Sequence, residues 1–169
     1  MSKFSIQNIQ NTSIKIVNSL LEHKDIEALN KGEVIKDINS VLTNYANTEE
    51  YVTKEAQNTL TKYNLSREQF YKTKKTIAEK NGIEIGDYAL GFLVKQIISM
   101  LMHSAFVDEV FSEDHVLQKH MRPAINELLN INKKHDAVIA KQIKHVEQGT
   151  QAWRIEYQKL KEKINNRNR

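Results

Sequence analysis

The amino-acid sequence predicts an all-α protein of about seven or eight helices, arranged in two pseudo-repeated helical halves around a buried central helix at about residues 87–105. Three observations support this fold class. Five glycines and one proline in 169 residues are too few for a loop-rich or all-β protein. Apolar residues recur at helical spacing along most of the chain, and no segment shows the alternation of a strand. A chain of this length can bury a sizeable core.

The central helix is predicted from the most apolar stretch, IGDYALGFLVKQIISMLMHSAF at residues 85–106. Asp87 is a candidate N-cap, and Lys95, Ser99 and His103 form a narrow polar seam at i, i+4 and i+8. A helix that is apolar on most sides must be covered on most sides, so we expect the other helices to surround it. The residues expected to be most buried are Leu93, Ile97, Ile98 and Leu101.

Four helices are predicted before the central one. The first covers about residues 5–23, and the second ends at about Tyr45. Thr48 is a candidate N-cap for a third, mostly polar helix, because threonine accepts a hydrogen bond from the first turn. The fourth helix begins with a capping box at residues 66–69, a serine followed three positions later by glutamine. Gly82 suits a left-handed cap at its end.

Three helices are predicted after the central one. Ser112 is a candidate cap for the first, and Pro123 lies inside its apolar pattern. A proline ring clashes with the preceding turn, so we expect a kink there or the start of a second segment. A polar helix covers about residues 133–147 and is stopped by Gly149. Thr150 caps the last helix.

The two halves of the chain share an apolar pattern. IVNSLLEHKDIE at residues 16–27 matches IISMLMHSAFVD at residues 97–108, with an offset of 81. Similar matches follow further along, with little identity. The pattern predicts an internal duplication, with an N-terminal half at 1–82 and a C-terminal half at 83–169 packed as one globular unit. The competing interpretation is that amphipathic helices of similar length resemble one another.

Composition excludes several classes of protein. No cysteine is present, which excludes disulfides and thiolate metal sites. The first residues lack the apolar core of a secretory signal, so we expect a cytoplasmic protein. Asp87, Lys95, Gln96 and His103 interrupt the apolar stretch, so no membrane span is expected.

Charge is unevenly distributed along the chain. The formal net charge is +4, from 25 basic and 21 acidic residues. Residues 84–127 carry three basic and seven acidic side chains, whereas residues 131–169 carry ten basic and four acidic ones. A basic face interleaved with Trp153 and Tyr157 is a candidate nucleic-acid site, although these aromatics also fit a core stripe with Leu160. The candidate nucleic-acid-binding residues are Lys141, Lys144, Arg154, Lys159, Lys163 and Arg167.

Other polar clusters give weaker signals. The acidic turn at residues 108–115 holds four carboxylates and a histidine, but it lacks the spacing and glycine of a calcium loop. His103, His115 and His120 do not have the i, i+4 spacing of a zinc helix. His103 is expected to be a hydrogen-bonded core histidine. Because no nucleophile elbow or phosphate loop occurs, we expect no enzyme, no catalytic residue, no cofactor and no metal.

Three segments resemble a known family. They are IAEKNGIEIGD at 77–87, MLMHSAFVDEVFSEDHVLQKHM at 100–121, and KHVEQGTQAW with the following EY at 144–157. They are similar to the bacterial domain-of-unknown-function family five-hundred-and-seven, and to its delta-group members in particular. The resemblance implies an all-helical cytoplasmic bacterial protein, and it implies no activity, cofactor or site residue.

The function expected from these observations is a non-enzymatic protein-interaction module. Its partner would be another protein or a second copy of the chain. The alternative is an RNA- or ribosome-associated protein that uses the basic C-terminal helices. Salt separates the two, because each phosphate contact releases counterions and makes RNA binding strongly salt-dependent.

Overall fold

The computed structural model describes residues 4–142 and 151–167. Its α-helices and strands, in chain order, are α1 (Ile6–Glu22), β1 (Ile26–Ala28), α2 (Lys31–Lys62), α3 (Phe70–Lys80), α4 (Ala89–His103), β2 (Val107–Val110), α5 (Asp114–Gln142) and α6 (Gln151–Arg167). Short 3-10 turns precede α3 and α4. The all-α class is confirmed. The described residues form six α-helices, slightly fewer than predicted.

Four of the helices form a bundle. α1 contacts α2 and α5, and α4 contacts the same two helices, so the four close into a ring around a shared core. α3 packs on α2, and α6 packs on α5. The largest fully buried side chains come from all four bundle helices: Ile16, Leu20, Ile38, Leu42, Leu93, Ile97, Leu101, Leu117, Met121 and Ile125. Within the described part of the chain, no helix is both long enough and apolar enough to cross a bilayer.

Three helix ends follow the local signals in the sequence. The backbone N–H of Asn8 donates to Ser5 Oγ at 3.1 Å and caps α1. The predicted capping box between Ser66 and Gln69 is present. Gly82 has a φ of +72°, a left-handed conformation that glycine adopts without strain, so this predicted end of α3 is confirmed.

The predicted break at Thr48 is wrong, because α2 is one continuous helix of 32 residues. Thr48 Oγ1 donates to the carbonyl of Asn44 inside the helix instead of capping a new one. Tyr45, Glu49 and Val52 are buried on one face, so burial continues across the predicted break. Tertiary packing of that face outweighs the local cap signal.

α4 is covered less completely than predicted, because its exposed side is wider than the predicted polar seam. Lys95, Ser99 and His103 are exposed, and Met102 is 50% exposed. One wall of a four-helix bundle is buried only where it faces its neighbours. The four residues expected to be most buried on α4 do lie on that side; they are Leu93, Ile97, Ile98 and Leu101, at 1, 0, 7 and 1% exposure.

The start and middle of α5 differ from the prediction. Ser112 does not cap this helix; its Oγ donates to Asp25 Oδ1 at 2.6 Å. Pro123 lies within a continuous helix, so it does not begin a second segment. Pro123 is exposed, and so is Lys119, whose carbonyl is the one that loses its helical N–H donor. The predicted stop at Gly149 and cap at Thr150 lie outside the described residues.

The two strands were not predicted. β1 and β2 have three and four residues, too few to show a period, and they pair antiparallel. Each half of the chain therefore runs helix, strand, long helix, helix. This shared order agrees with the pattern match between the halves, while the duplication itself stays a prediction.

Candidate functional site

The strand pair closes one end of the bundle. β1 follows the end of α1, and β2 follows the end of α4. The backbone N–H of Leu29 donates to the Phe106 carbonyl, and that of Phe111 donates to the Asp25 carbonyl, each at 2.8 Å. These bonds extend the pairing by a residue at each end. The two chain halves are thus joined at this end by a continuous backbone ladder.

The two faces of this small sheet have different chemistry. Ile26 is buried, and Ala28, Val107 and Val110 pack against the core. Because side chains alternate along a strand, the residues between and beyond them point the other way. The outer sheet face consists of Glu27, Leu29, Phe106, Glu109 and Phe111, all exposed.

The apolar members of the outer sheet face are large. Leu29 is 67% exposed, Phe111 is 57% exposed and Phe106 is 36% exposed. The backbone bond between Leu29 and Phe106 makes these two residues cross-strand neighbours. Single exposed apolar residues are common, but a group of them on one rigid face is typical of an interaction site.

The charged members of this face, Glu27 and Glu109, are both negative, and the exposed Asp108 precedes Glu109 in the strand. Glu27 lies directly opposite Glu109, and Asp108 is the extra residue at the irregularity in the strand register. Like charges directly opposite each other destabilise a strand pair. Among the described residues, none of the ion pairs involves these three carboxylates. Their arrangement creates a negative field that a positively charged partner would relieve.

A buried polar cluster anchors β1. Asp25 is 1% exposed; its Oδ1 accepts from Ser112 Oγ, and its Oδ2 pairs with His120 Nδ1, each at 2.6 Å. The imidazole of His23 stacks on that of His120, with ring centroids 3.7 Å apart. The sequence did not identify His23 and Asp25 as site residues. They are close to each other in the chain, but their partner His120 lies 95 positions from Asp25, and no local pattern connects them.

β2 is anchored by different groups. Ser104 Oγ donates to Asp37 Oδ2 on α2 at 2.7 Å, and it accepts from the backbone N–H of Phe106 at 3.2 Å. Each strand is therefore tied, just before it begins, to the long helix of the other half.

The predicted nucleic-acid-binding residues are only partly brought together. Arg154 donates to Asn58 on α2. Arg154 and Lys159 line a groove of about 480 Å³ between α2 and α6, together with Lys54 and Glu162. Lys163 is exposed on α6. The side chains of Lys141 and Arg167, and all of Lys144, lie outside the described residues. The groove has mixed charge.

The other sequence candidates do not converge. His115 pairs with Glu113 at 3.3 Å, and both are exposed. His103 Nδ1 contacts the Ser99 carbonyl at 2.8 Å, but the ring is exposed, so the prediction of a core histidine is wrong. The reason is that His103 lies on the solvent side of the last turn of α4, whereas Leu101 in the same turn is buried. Only His120 has a partly buried ring and a distant partner.

A second cavity has a volume of about 270 Å³. It is lined by α2, α3, the start of α4 and the middle of α5. Lys74 pairs with the buried Glu49 at 2.6 Å along its wall. Burial raises the pKa of Tyr45, and the negative charge of Glu49 raises it further. The hydroxyl therefore stays protonated, and it donates to the Glu84 carbonyl at 3.0 Å. These contacts tie α2 to α3 and to the start of α4. Their evident role is structural.

Comparison with known proteins identifies the family of this chain. A family model described as "Protein of unknown function (DUF507)" matches residues 2–168. The chain belongs to this family, as the resembling segments predicted. The comparison with curated proteins found no match.

Proposed function

We propose that this protein is a non-enzymatic protein-interaction module that binds its partner through the outer sheet face. The observation that supports this most directly is the group of exposed side chains Leu29, Phe106 and Phe111 on one face of the strand pair. The backbone under them is held by the four-helix bundle and by two polar anchors. A rigid, partly apolar face lowers the entropic cost of binding.

The charge of the face specifies the chemistry of the partner. Glu27 and Glu109 lie between the Leu29–Phe106 pair and Phe111 along the strand pair. Neither they nor Asp108 take part in an ion pair among the described residues. Complementary potentials favour a partner segment of opposite charge. The proposed occupant is therefore a segment of another protein that carries lysine or arginine next to apolar residues. A second copy of the chain is an outcome that the experiment distinguishes.

The experiment selects binders from a library of displayed random peptides on the full-length protein. Enriched peptides should combine basic and apolar residues. They should lose about tenfold or more of their affinity for the double charge reversal Glu27→Lys with Glu109→Lys, because each desolvated charge contact contributes one to several kcal/mol. Affinity is measured by fluorescence anisotropy with synthetic peptides.

The control variant is Tyr63→Ser. It removes a large side chain away from the outer sheet face, just after the end of α2, whose exposure (63%) is similar to that of Leu29 (67%). It should leave peptide affinity unchanged. Enriched peptides without basic residues, or equal binding to the charge-reversed variant, would contradict the proposal. Sedimentation of the parent as a dimer that Glu27→Lys dissociates would instead assign the face to self-association.

RNA binding is the second candidate, and the groove lined by Lys54, Arg154 and Lys159 supports it. Tyr51 on its wall offers an aromatic ring for base stacking. Replacing Lys141, Lys144, Lys159 and Lys163 together with glutamine should abolish binding of single-stranded RNA at low salt. Undiminished RNA binding by this variant would exclude the basic end as the site.

A further inference from the structure

The cluster of His23, Asp25 and His120 has the chemistry of a metal site, although no metal was expected from the sequence. The three residues come from the end of α1, the turn before β1 and the second turn of α5. One ligand atom from each residue, an imidazole nitrogen or a carboxylate oxygen, lies within 4.8 Å of those of the other two. The cluster adjoins the outer sheet face but shares no residue with it.

Hydrogen bonding determines which nitrogen each histidine offers. His23 Nδ1 lies 2.8 Å from the Ser19 carbonyl, and His120 Nδ1 lies 2.6 Å from Asp25 Oδ2. A carbonyl or a carboxylate only accepts hydrogen bonds, so each Nδ1 must carry the proton. In a neutral imidazole the other nitrogen is then an unprotonated base. Both residues therefore offer an Nε2 lone pair.

Asp25 supports one of these ligands without being one. Both of its oxygens are engaged, one by Ser112 and one by His120. A buried carboxylate that accepts from the distal nitrogen of a metal-binding histidine orients the ring and strengthens it as a ligand. Ser19 Oγ donates to the backbone carbonyl of His120 at 3.0 Å, which ties the main chain of this residue to α1. The His120 ring is 16% exposed and held by Asp25.

The His23 and His120 rings are stacked face to face, with their centroids 3.7 Å apart. The ring planes are 11° apart. Zn²⁺ binds imidazole nitrogen at 2.0–2.1 Å, so two ligands in a tetrahedral site are about 3.3 Å apart. Because His23 is exposed and His120 is held, the His23 ring is the one that must turn towards the ion. Imidazole ligands favour zinc, copper or nickel over magnesium and calcium.

We propose that His23 and His120 bind a divalent transition-metal ion such as Zn²⁺ through their Nε2 atoms, with Asp25 as the positioning carboxylate. Water or a donor from a bound partner completes the coordination. The ion would join α1 to α5 beside the strand pair.

The experiment titrates Zn²⁺ into full-length protein freed of metal by a chelator, with calorimetry as the readout. The parent should bind about one ion per chain. His23→Phe keeps the stacked ring but removes the nitrogen, and Asp25→Asn keeps the shape but weakens the acceptor. Asp25→Asn should lower the affinity by about ten- to hundredfold, the range seen when the hydrogen-bond partner of a metal ligand is changed. His23→Phe removes a ligand and should lower it at least as much.

His103→Phe is the matched control, because His103 also ends a helix with its Nδ1 on the carbonyl four residues back, at 2.8 Å. It should leave Zn²⁺ affinity unchanged. Circular dichroism serves to check that each variant is folded. Equal Zn²⁺ affinity in the parent and His23→Phe, or equal losses in His23→Phe and His103→Phe, would mean an adventitious ion only and would overturn the site.

Nitrogen-15 NMR of the histidine rings is an independent test on the unaltered protein. His23 and His120 should show the tautomer protonated at Nδ1, and Zn²⁺ should shift their Nε2 resonances and leave those of His103 in place. Protonation at Nε2 in the metal-free protein, or shifts confined to other histidines, would overturn the proposal. Mg²⁺ at the same concentration should produce no shift.

Discussion

The places where α1 and α4 lead into their strands correspond in the fold but differ in chemistry. The first junction contains His23 and Asp25, and the second contains His103 and Ser104. In both, the helix ends with a histidine whose Nδ1 lies 2.8 Å from the serine carbonyl four residues earlier. In both, a polar side chain then reaches the long helix of the other half.

The difference is the group that makes this contact. Asp25 places a carboxylate in the protein interior, where it needs hydrogen-bond donors, and Ser112 and His120 supply them. At the second junction Ser104 contributes a neutral hydroxyl. The carboxylate belongs to its partner on α2, the half-buried Asp37. The comparison teaches that one backbone arrangement can carry different chemistry, because the side chain after the helix decides where charge is buried.

The turn geometry explains part of this difference. Lys24 has a φ of +57°, and the backbone N–H groups of Lys24 and Asp25 donate to Leu21 and Leu20. This is a Schellman motif, which ends the helix sharply and directs the following residue inward. Ser104 has extended backbone angles instead. Only the first junction therefore turns its polar residue directly under the strand.

The largest effect is expected at the apolar residues beneath the junctions. Leu20 and Leu101 occupy the last turns of α1 and α4 and are 0% and 1% exposed. Replacing either with alanine should lower the free energy of unfolding by about 2–5 kcal/mol through a core cavity. Urea denaturation measures the loss. A loss of less than about 1 kcal/mol at only one site would show that the two junctions are not packed alike.

The next effect separates the two polar anchors. Asp25→Ala should lower the unfolding free energy by about 2–4 kcal/mol, because it leaves buried donors on Ser112 and His120 unpaired. Ser104→Ala should cost about 0.5–1.5 kcal/mol, since Asp37 keeps access to water. Both are measured by urea denaturation under the same conditions. Equal losses would contradict the difference in burial between the anchors.

A smaller effect concerns the two serines that precede the histidines. Ser19→Ala removes the hydrogen bond to the His120 carbonyl and should cost about 1 kcal/mol. Ser99 is exposed, so Ser99→Ala should change stability by less than about 0.5 kcal/mol. Thermal melting at a fixed heating rate compares the stabilities of the two variants. A cost at Ser99 as large as that at Ser19 would remove this distinction between the junctions.

The smallest effect is expected to be stabilising. Lys24 occupies a left-handed conformation that glycine adopts without steric cost, so Lys24→Gly should raise the unfolding free energy by about 0.5–1 kcal/mol. Ser104→Gly is the matched change at the second junction and should destabilise, since it removes a hydrogen bond and adds chain entropy. Chemical denaturation compares the two. A loss of stability at Lys24→Gly would mean that its side chain makes a needed contact.

Local signals in the sequence predicted many of the helices. The 3.6-residue period identified α1 and the buried side of α4, and the capping box identified the start of α3. The same kind of local signal failed at Thr48, where a good cap residue followed by acids lies inside α2. The strands also escaped prediction, because three or four residues carry too little pattern.

The sequence by itself therefore determined the helical class and most of the core, since periodicity and caps act over a few neighbouring residues. Only the tertiary structure decided which polar residues meet. Asp25 and His120 are 95 positions apart, and Leu29 and Phe106 become neighbours only when the strands pair. Such contacts depend on how the four helices close into a ring. That closure is determined by the summed burial of many side chains from all four helices. No single short segment of the sequence therefore predicts it.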